Sequence, residues 1–363
     1  MRAGSSRRAF LISLGVARWS APALLQAEVS SSEAKRFRDP ATEFDVVRLT
    51  DPAYSSFLPP ANLRAISSRG SAVLCSSDRS GALQAFRIDT KTGEARQLSN
   101  AASLDSSTLS FLPDERSVCF FDGRVLTAAT GPRTRRIYEV EEGWERAGGF
   151  GLSIDGLHGA FGEARGDRSR LRLIAMSGKM PTTVLETTGG ISDARPRPRR
   201  AGILYRLGDS LWVTDYEGKQ NRKLKTASGA KIGPALWSLD GKTVLYLSYP
   251  EDTTRLHELR ECTPDSNEDK LIAKTSQFVN FSPNGDSSVF AGVSANRASP
   301  HVLLLLRVTH RELTMCEHRS SHADRVPILF SPNSQRIFFQ TDKQGKPAIY
   351  TMAVEKFVEK TES

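Results

Sequence analysis

Apolar and polar positions alternate in short runs along almost the whole chain, and the last full run shows the unit. In FSPNSQRIFFQTDKQGKPAIYTM, Phe330 to Met352, RIFFQT alternates, DKQGK is a polar turn containing glycine, and AIYTM alternates again. Two alternating runs around such a turn predict a β-hairpin. In front of the hairpin stands an aromatic residue, then Ser, Pro or Leu, Asp or Asn, and Gly or its substitute. The signature recurs as WSLDGKTVLYLS at Trp237 and FSPNGDSSVFAG at Phe281, and more weakly upstream.

With the glycine position as anchor, matches fall at Gly70, Glu115, Gly156, Arg200, Gly241, Gly285 and Ser334, 41 to 49 residues apart. That period, with about four short strands per unit, is the signature of a β-propeller, because a four-stranded blade buries its faces only against neighbouring blades. Seven units predict seven blades. The last unit is one strand short, whereas FDVVRLT, Phe44 to Thr50, alternates and has no unit of its own. It is therefore expected to complete the C-terminal blade and cover its open edge. No helical heptads and no long amphipathic helices occur, so the chain reads as all-β. The expected organisation is a signal peptide over 1–27, a linker over 28–43, one propeller over 44–355 and a tail over 356–363.

MRAGSSRRAFLISLGVARWSAPALLQA has a basic start, a modest apolar stretch interrupted by Arg18, and small residues near its end. That is the pattern of an export signal. Ser6-Arg7-Arg8-Ala9-Phe10-Leu11 resembles the twin-arginine motif, with cleavage expected after Ala23 or Ala27. The plain alternative is a chance Arg-Arg pair before a short helix. Export places the mature chain in the periplasm or outside the cell.

Export also changes the charge argument. The formal net charge of +9 includes Arg2, Arg7, Arg8 and Arg18; without them 46 basic residues face 41 acidic ones, or +5. That balance is too mild to argue nucleic-acid binding. The run RPRPRR, Arg195 to Arg200, reads either as an anion-binding patch or, as such runs more often are, as a solvated loop leading into a blade. Cys75, Cys119, Cys262 and Cys316 form no C-x-x-C pair and suit buried thiols. No G-x-S-x-G elbow and no Gly-rich phosphate loop of either common type is present. Chemistry, if any, belongs to the funnel that the inner strands line.

The blade signature resembles TolB-type and dipeptidyl-peptidase-type repeats, and over a longer stretch the chain resembles the oligogalacturonate lyases. FDVVRLTDP, IDTKTGEARQLS, LWVTDYEGKQNRKLK, WSLDGKTVLYLSYPEDTTR and FSPNSQRIFFQTDKQGKPAIY are similar to that family's segments in the same order, across 44–352. The resemblance implies a seven-bladed propeller that cleaves pectin fragments by β-elimination, with a histidine base, a basic residue near the substrate carboxylate, and manganese. It places the base and one metal-binding histidine seven positions before the fifth and sixth anchors. Two further histidines lie seven and nine before the last anchor, and a glutamine twelve before it. These positions hold Pro234, Phe278, Pro327, Arg325 and His322, of which only His322 could be a ligand. The family's substrate arginine corresponds to Ser210.

The residues alone lead to the same place. Seven before each anchor stand Leu63, Thr108, Gly149, Asp193, Pro234, Phe278 and Pro327: one carboxylate and no histidine. His158, His257, His301, His310, His318 and His322 fall mostly in outer strands or loops and read as surface or structural residues. H-x-x-x-H at His318 and His322 lacks the helical face that would bring both rings to one ion. No catalytic set, metal or cofactor is therefore assigned. The candidate ligand-binding residues are Arg64, Arg146, Asp193, Lys231, His322 and Arg325, with Pro234, Phe278 and Pro327 lining the same cavity as Arg325. The expected partner is an acidic oligosaccharide or a protein at the funnel of a monomeric, non-catalytic relative. The competing reading is an active lyase on oligogalacturonate.

Replacing Arg7 and Arg8 together with Lys is expected to leave precursor in the cytoplasm, measured by fractionation and immunoblotting. Unchanged periplasmic yield would remove the twin-arginine reading.

Overall fold

The computed structural model describes residues 29–358, so the expected signal peptide at 1–27 lies outside the described residues. Seven antiparallel sheets follow one another as the blades of a β-propeller, with almost no helix. Blades 3 to 6 run in simple order from an inner to an outer strand. Blade 4, for example, is Ile191–Pro196, Ile203–Leu207, Ser210–Thr214 and Arg222–Lys223.

Alternation explains the packing. In a strand buried on both faces, successive side chains enter different interfaces. Val73 and Cys75 pack against blade 7, and Leu74 between them packs against blade 2. Val118 and Phe120 face blade 1, whereas Cys119 and Phe121 face blade 3. Ile337 and Phe339 face blade 6 while Phe338 faces blade 1. Among the described residues the buried apolar side chains divide into seven clusters, one at each junction of neighbouring blades, including the junction of blade 7 with blade 1. Each of the four cysteines is a free, buried thiol in one of these clusters, and burial pushes Cys75 and Cys119 up to about 12. At neutral pH these are small packing groups without nucleophilic character.

The ring closes as the alternation predicts. Asp45–Arg48 pairs antiparallel with Ala348–Ala353, Val47 opposite Thr351 and Arg48 opposite Tyr350. The segment expected as a linker does more than connect. Lys35–Arg38 adds a further strand outside Asp45–Arg48 on blade 7, and Val29–Ser30 adds one outside Ala95–Gln97 on blade 1. Residues 29–38 thus cross the closing seam on its outer side. Between the two strands, Glu33 pairs with Arg79 at 3.0 Å and also accepts the backbone N–H of Asp51. The turn at Gly93 lies so close beneath that a Cβ there would stand 2.6 Å from Ala34 Cβ and Ser32 Oγ. At the other end, Glu355–Val358 forms one helical turn whose Phe357 ring meets Phe44 at 5.3 Å.

The anchors mark a shared turn. In blades 1, 2, 3, 5 and 7 the anchor itself has positive φ, in the left-handed region, and the turn closes with a backbone bond such as Ser67 N–H to Ala72 O or Ser238 N–H to Thr243 O. Blade 6 departs from the expected position. Its closing bond runs from Asn284 to Val289 and its left-handed residue is Ser287, so the anchor sits two residues beyond Gly285. The residue seven before it is then Asn280, not Phe278.

Glu33→Ala leaves the Arg79 guanidinium, 7% exposed, without that carboxylate. Removal of one partner of a largely buried pair should cost about 1–3 kcal/mol in urea unfolding. An unchanged unfolding free energy would show that the crossing segment does not hold the seam.

Candidate functional site

The inner strands of blades 3 to 6 share an irregularity at the positions the anchors single out. Their pairing with the second strand shifts register between Ala147 and Gly151, Ser192 and Arg195, Ile232 and Ala235, and Phe278 and Asn280. Such bulges re-aim side chains and gather near functional sites. Gly149 and Asp193 occupy them in blades 3 and 4, both with positive φ, at 79° and 52°. The two blades meet closely here: a Cβ on Gly149 would lie 3.1 Å from Asp193 Cα, and one on Gly151 would lie 2.5 Å from Ala194 O.

Around this point lies a cavity of about 180 Å³, reached from four blades. Pro60 and Asn62 enter from blade 1, Ser107 from the turn before blade 2, Gly149 and Phe150 from blade 3, and Asp193 and Arg195 from blade 4. Asn62 donates its amide to Phe150 O at 2.9 Å, which ties blade 1 to blade 3 across the cavity. Ser107 is held by Asp105, its hydroxyl donating to the carboxylate at 2.7 Å.

Arg195 is the unusual member. Its side chain is 14% exposed, Nε and Nη1 are buried without a hydrogen-bond partner, and Nη2 stands 3.9 Å from Asp193 Oδ1. That separation is an ion pair but not a hydrogen bond. Burial draws the guanidinium below its ordinary range and Asp193 opposes the shift. Asp193 also lies 3.4 Å from Arg206 Nε, and Arg206 donates to Gly233 O at 2.8 Å and Ile232 O at 3.3 Å in the bulge of blade 5.

Of the six candidates, Asp193 alone is among the residues lining this cavity. Arg146 is on the inner strand of blade 3, but its guanidinium pairs with Asp105 and lies over the Phe121 ring at 4.8 Å. Arg64 donates to the carbonyl of Ile154. Lys231 is exposed at the start of the blade 5 inner strand. His322 and Arg325 are exposed on the short 3-10 turn before blade 7, where the Arg325 N–H donates to His322 O at 3.0 Å. Phe278, expected to face the cavity, is instead fully buried in the core between blades 5 and 6, its ring against Gly292. The shifted turn of blade 6 is the reason.

Arg195 was visible only as the first residue of RPRPRR, and that run divides. Arg197 and Arg200 pair with Asp265 at 3.3 and 3.1 Å, Arg197 lies over the Trp237 ring at 5.0 Å, and Arg199 is exposed. No periodic signal distinguishes Arg195 from these neighbours; the bulge that carries it to the axis appears only in the pairing.

The manganese implied by the resemblance needs a donor set that these positions do not supply. Pro234 and Pro327 carry no donor atom, and Asn280, in the corrected position, donates its amide to Asp324 O and Val326 O at 3.0 Å each. His318 is buried and spends both ring nitrogens, Nε2 on Ser294 O at 2.9 Å and Nδ1 on the N–H of Ser320 at 3.1 Å, away from exposed His322. Among the described residues no three His, Cys, Asp or Glu side chains stand close enough to hold a metal ion. The residues present do not fit that group.

Comparison with known proteins places this architecture. No family model matches the sequence. A solved oligogalacturonate lyase in complex with manganese superposes with a TM-score of 0.86 at 19% identity, over 92% of this chain and 99% of that one. The fold is that of the oligogalacturonate lyases. The enzyme from Vibrio parahaemolyticus gives 0.85 at 20% identity over the same shares. In sequence, the oligogalacturonate lyase of Dickeya dadantii is 22% identical over 88% of this chain and 95% of its own length. The oligogalacturonide lyase of Pectobacterium atrosepticum is 24% identical over 40% of this chain, a match that spans 42% of that protein. The resemblance therefore extends around the whole oligogalacturonate-lyase-like ring. No helix among the described residues is long and apolar enough to cross a membrane.

His318 carries a pH prediction. Desolvation holds its imidazole below the ordinary value while the Ser294 carbonyl, His301, Lys343 and Asp342 act around it. A histidine depressed in the folded state stabilises fully above its unfolded pKa of about 6.5 and loses that stabilisation as pH falls toward the folded value. Unfolding free energy should therefore begin to fall on acidification from about pH 6.5, and His318→Gln should flatten that decline in urea titrations at stepped pH. An equal slope in both proteins would contradict the assignment.

Proposed function

We propose that this chain is an exported, oligogalacturonate-lyase-like propeller that binds an acidic oligosaccharide at its axial cavity without cleaving it. The observation that carries the reading is the make-up of the cavity. It brings the Arg195 guanidinium, which lacks a hydrogen-bonded partner, together with the Asn62 amide, the Ser107 hydroxyl and Pro60, while the Phe150 ring is buried in the junction behind. Those groups recognise a carboxylated sugar by charge and hydrogen bonding. β-Elimination also requires a group to take the proton α to the carboxylate, and a base must stand within hydrogen-bond reach of it. Asp193, the one carboxylate lining the cavity, is already engaged by the chain, accepting from Arg206 Nε at 3.4 Å and facing Arg195 at 3.9 Å. Export rests on the N-terminal sequence, and the choice of sugar rests on the names of the similar enzymes. A protein partner at the same funnel is the other occupant the cavity admits, and a monomer suffices for either.

The second reading, an active oligogalacturonate lyase, is favoured by the full-length superposition on enzymes of that name. One experiment separates the two. The mature protein should bind trigalacturonate in calorimetry with affinity that weakens as salt rises, because exposed charge attraction is screened over about 10 Å at 0.1 M. It should produce no growth of unsaturated-product absorbance on oligouronates, with or without added manganese. Product growth abolished by a chelator would replace the binding reading with the lyase.

A further inference from the structure

Arg195 and Asp193 sit two residues apart across one bulge; Asp193 accepts from Arg206 Nε at 3.4 Å, whereas the Arg195 guanidinium is left without a hydrogen bond. Arg195 has no hydrogen-bonded counter-anion although Nε and Nη1 are buried. Asp193 holds a left-handed backbone conformation that non-glycine residues adopt at a cost. Its carboxylate, 44% exposed, stands 3.9 Å from Arg195 and 3.4 Å from Arg206. We propose that Arg195 anchors one carboxylate of a small acidic ligand in the axial cavity, and that Asp193 is the resident counter-charge which that carboxylate displaces.

Three features support displacement over a permanent pair. A charge out of water needs both an opposite charge and hydrogen bonds, and Asp193 supplies Arg195 only the first. Arg206 gives Asp193 only one long bond, from Nε at 3.4 Å, and keeps two backbone carbonyls of blade 5 as acceptors when that bond is lost. Asp193 can therefore swing toward solvent, where its exposed carboxylate is hydrated, without stranding Arg206. Gly149 keeps the space open, because any Cβ there would crowd the Asp193 carboxylate at 3.1 Å. The volume of about 180 Å³ lies below the roughly 300–1,000 Å³ of pockets that enclose drug-sized ligands. It suits a single carboxylated sugar unit, with the remainder of any longer chain outside.

This inference rests on the saccharide-binding reading and can fail separately from it. The probe is D-galacturonate, titrated calorimetrically into the full mature chain, with galactose as the neutral control. D-galacturonate should bind at least about tenfold more tightly than galactose, and Arg195→Gln should erase that preference, a charged hydrogen bond being worth about a factor of ten or more. Arg195→Lys keeps the charge without the planar fork and should retain part of it. Asp193→Asn, which removes the internal competitor, should tighten binding by about three- to tenfold. Thermal unfolding of each variant confirms that the ring is intact. Weaker binding by Asp193→Asn would overturn the displacement. Trigalacturonate binding that ignores both substitutions would overturn the site and leave the saccharide reading standing. If neither sugar binds, yet acetate raises the melting temperature of the parent protein and not of Arg195→Gln, the anion site stands and the saccharide reading falls.

Discussion

Every blade of this protein is a thin sheet with two apolar faces, and that constraint governs the rest. A sheet of this kind cannot rest against water on either side, so each of the seven must find two neighbours, and a row of seven satisfies that only as a closed ring. The seven clusters, one per junction, are that requirement met. Burial of apolar area is non-directional, which is why Phe, Leu, Val, Ala and Cys interchange among the junctions without loss of the architecture. The junction between blades 7 and 1 joins sequence-distant residues such as Val73 and Phe338. Closure therefore carries the entropy cost of bringing the chain ends together, as all long-range pairing does. Strand addition at Asp45–Arg48 and the crossing segment at 29–38 put directional backbone bonds and an ion pair where packing alone has the most entropy to oppose.

How much of this could be read from the chain depends on the physical signal each feature leaves. Period-two alternation is written into composition, so RIFFQT and FDVVRLT announced a hairpin and its missing partner. Left-handed turn positions prefer glycine, so Gly70, Gly156 and Gly241 fixed three turns outright. Blade 6 misled because its turn carries a glycine that does not take the left-handed position; Ser287 takes it, and the two-residue shift exchanges Phe278 for Asn280. The strands at 29–38 were missed for a different reason. KRFR has one apolar residue, Phe37, which packs edge-on to Tyr350, and an outermost strand with one covered face carries little hydrophobic pattern.

The site was less legible than the fold because it depends on bulges. A bulge adds a residue to one strand and reverses which side chain faces inward, so counting back from a turn gives the right neighbourhood and an uncertain face. Asp193 was found by that count. Arg195 was not, since among four arginines in six residues only pairing geometry says which one lines the cavity. Arg64 and Arg146 illustrate the converse: both are basic and near inner strands, but a carbonyl and a carboxylate already occupy their guanidinium groups.

The same geometry explains how a fold can be shared around the full ring at 19% identity while the chemistry at its centre is free to change. Junction packing asks only for apolar side chains of suitable volume, and turn closure asks only for a residue that tolerates positive φ. Neither constrains what the bulges present to the axis. Positions such as Asp193, Pro234 and Asn280 are thus fixed in space by the scaffold and free in identity, and function is decided by what occupies them. In this chain a guanidinium without a hydrogen-bonded partner stands beside a carboxylate carried on a left-handed backbone. Neither contributes to ring closure, which is supplied elsewhere. The acidic ligand proposed above supplies Arg195 with the hydrogen-bonded partner that the ring, closed by its seven apolar junctions, does not.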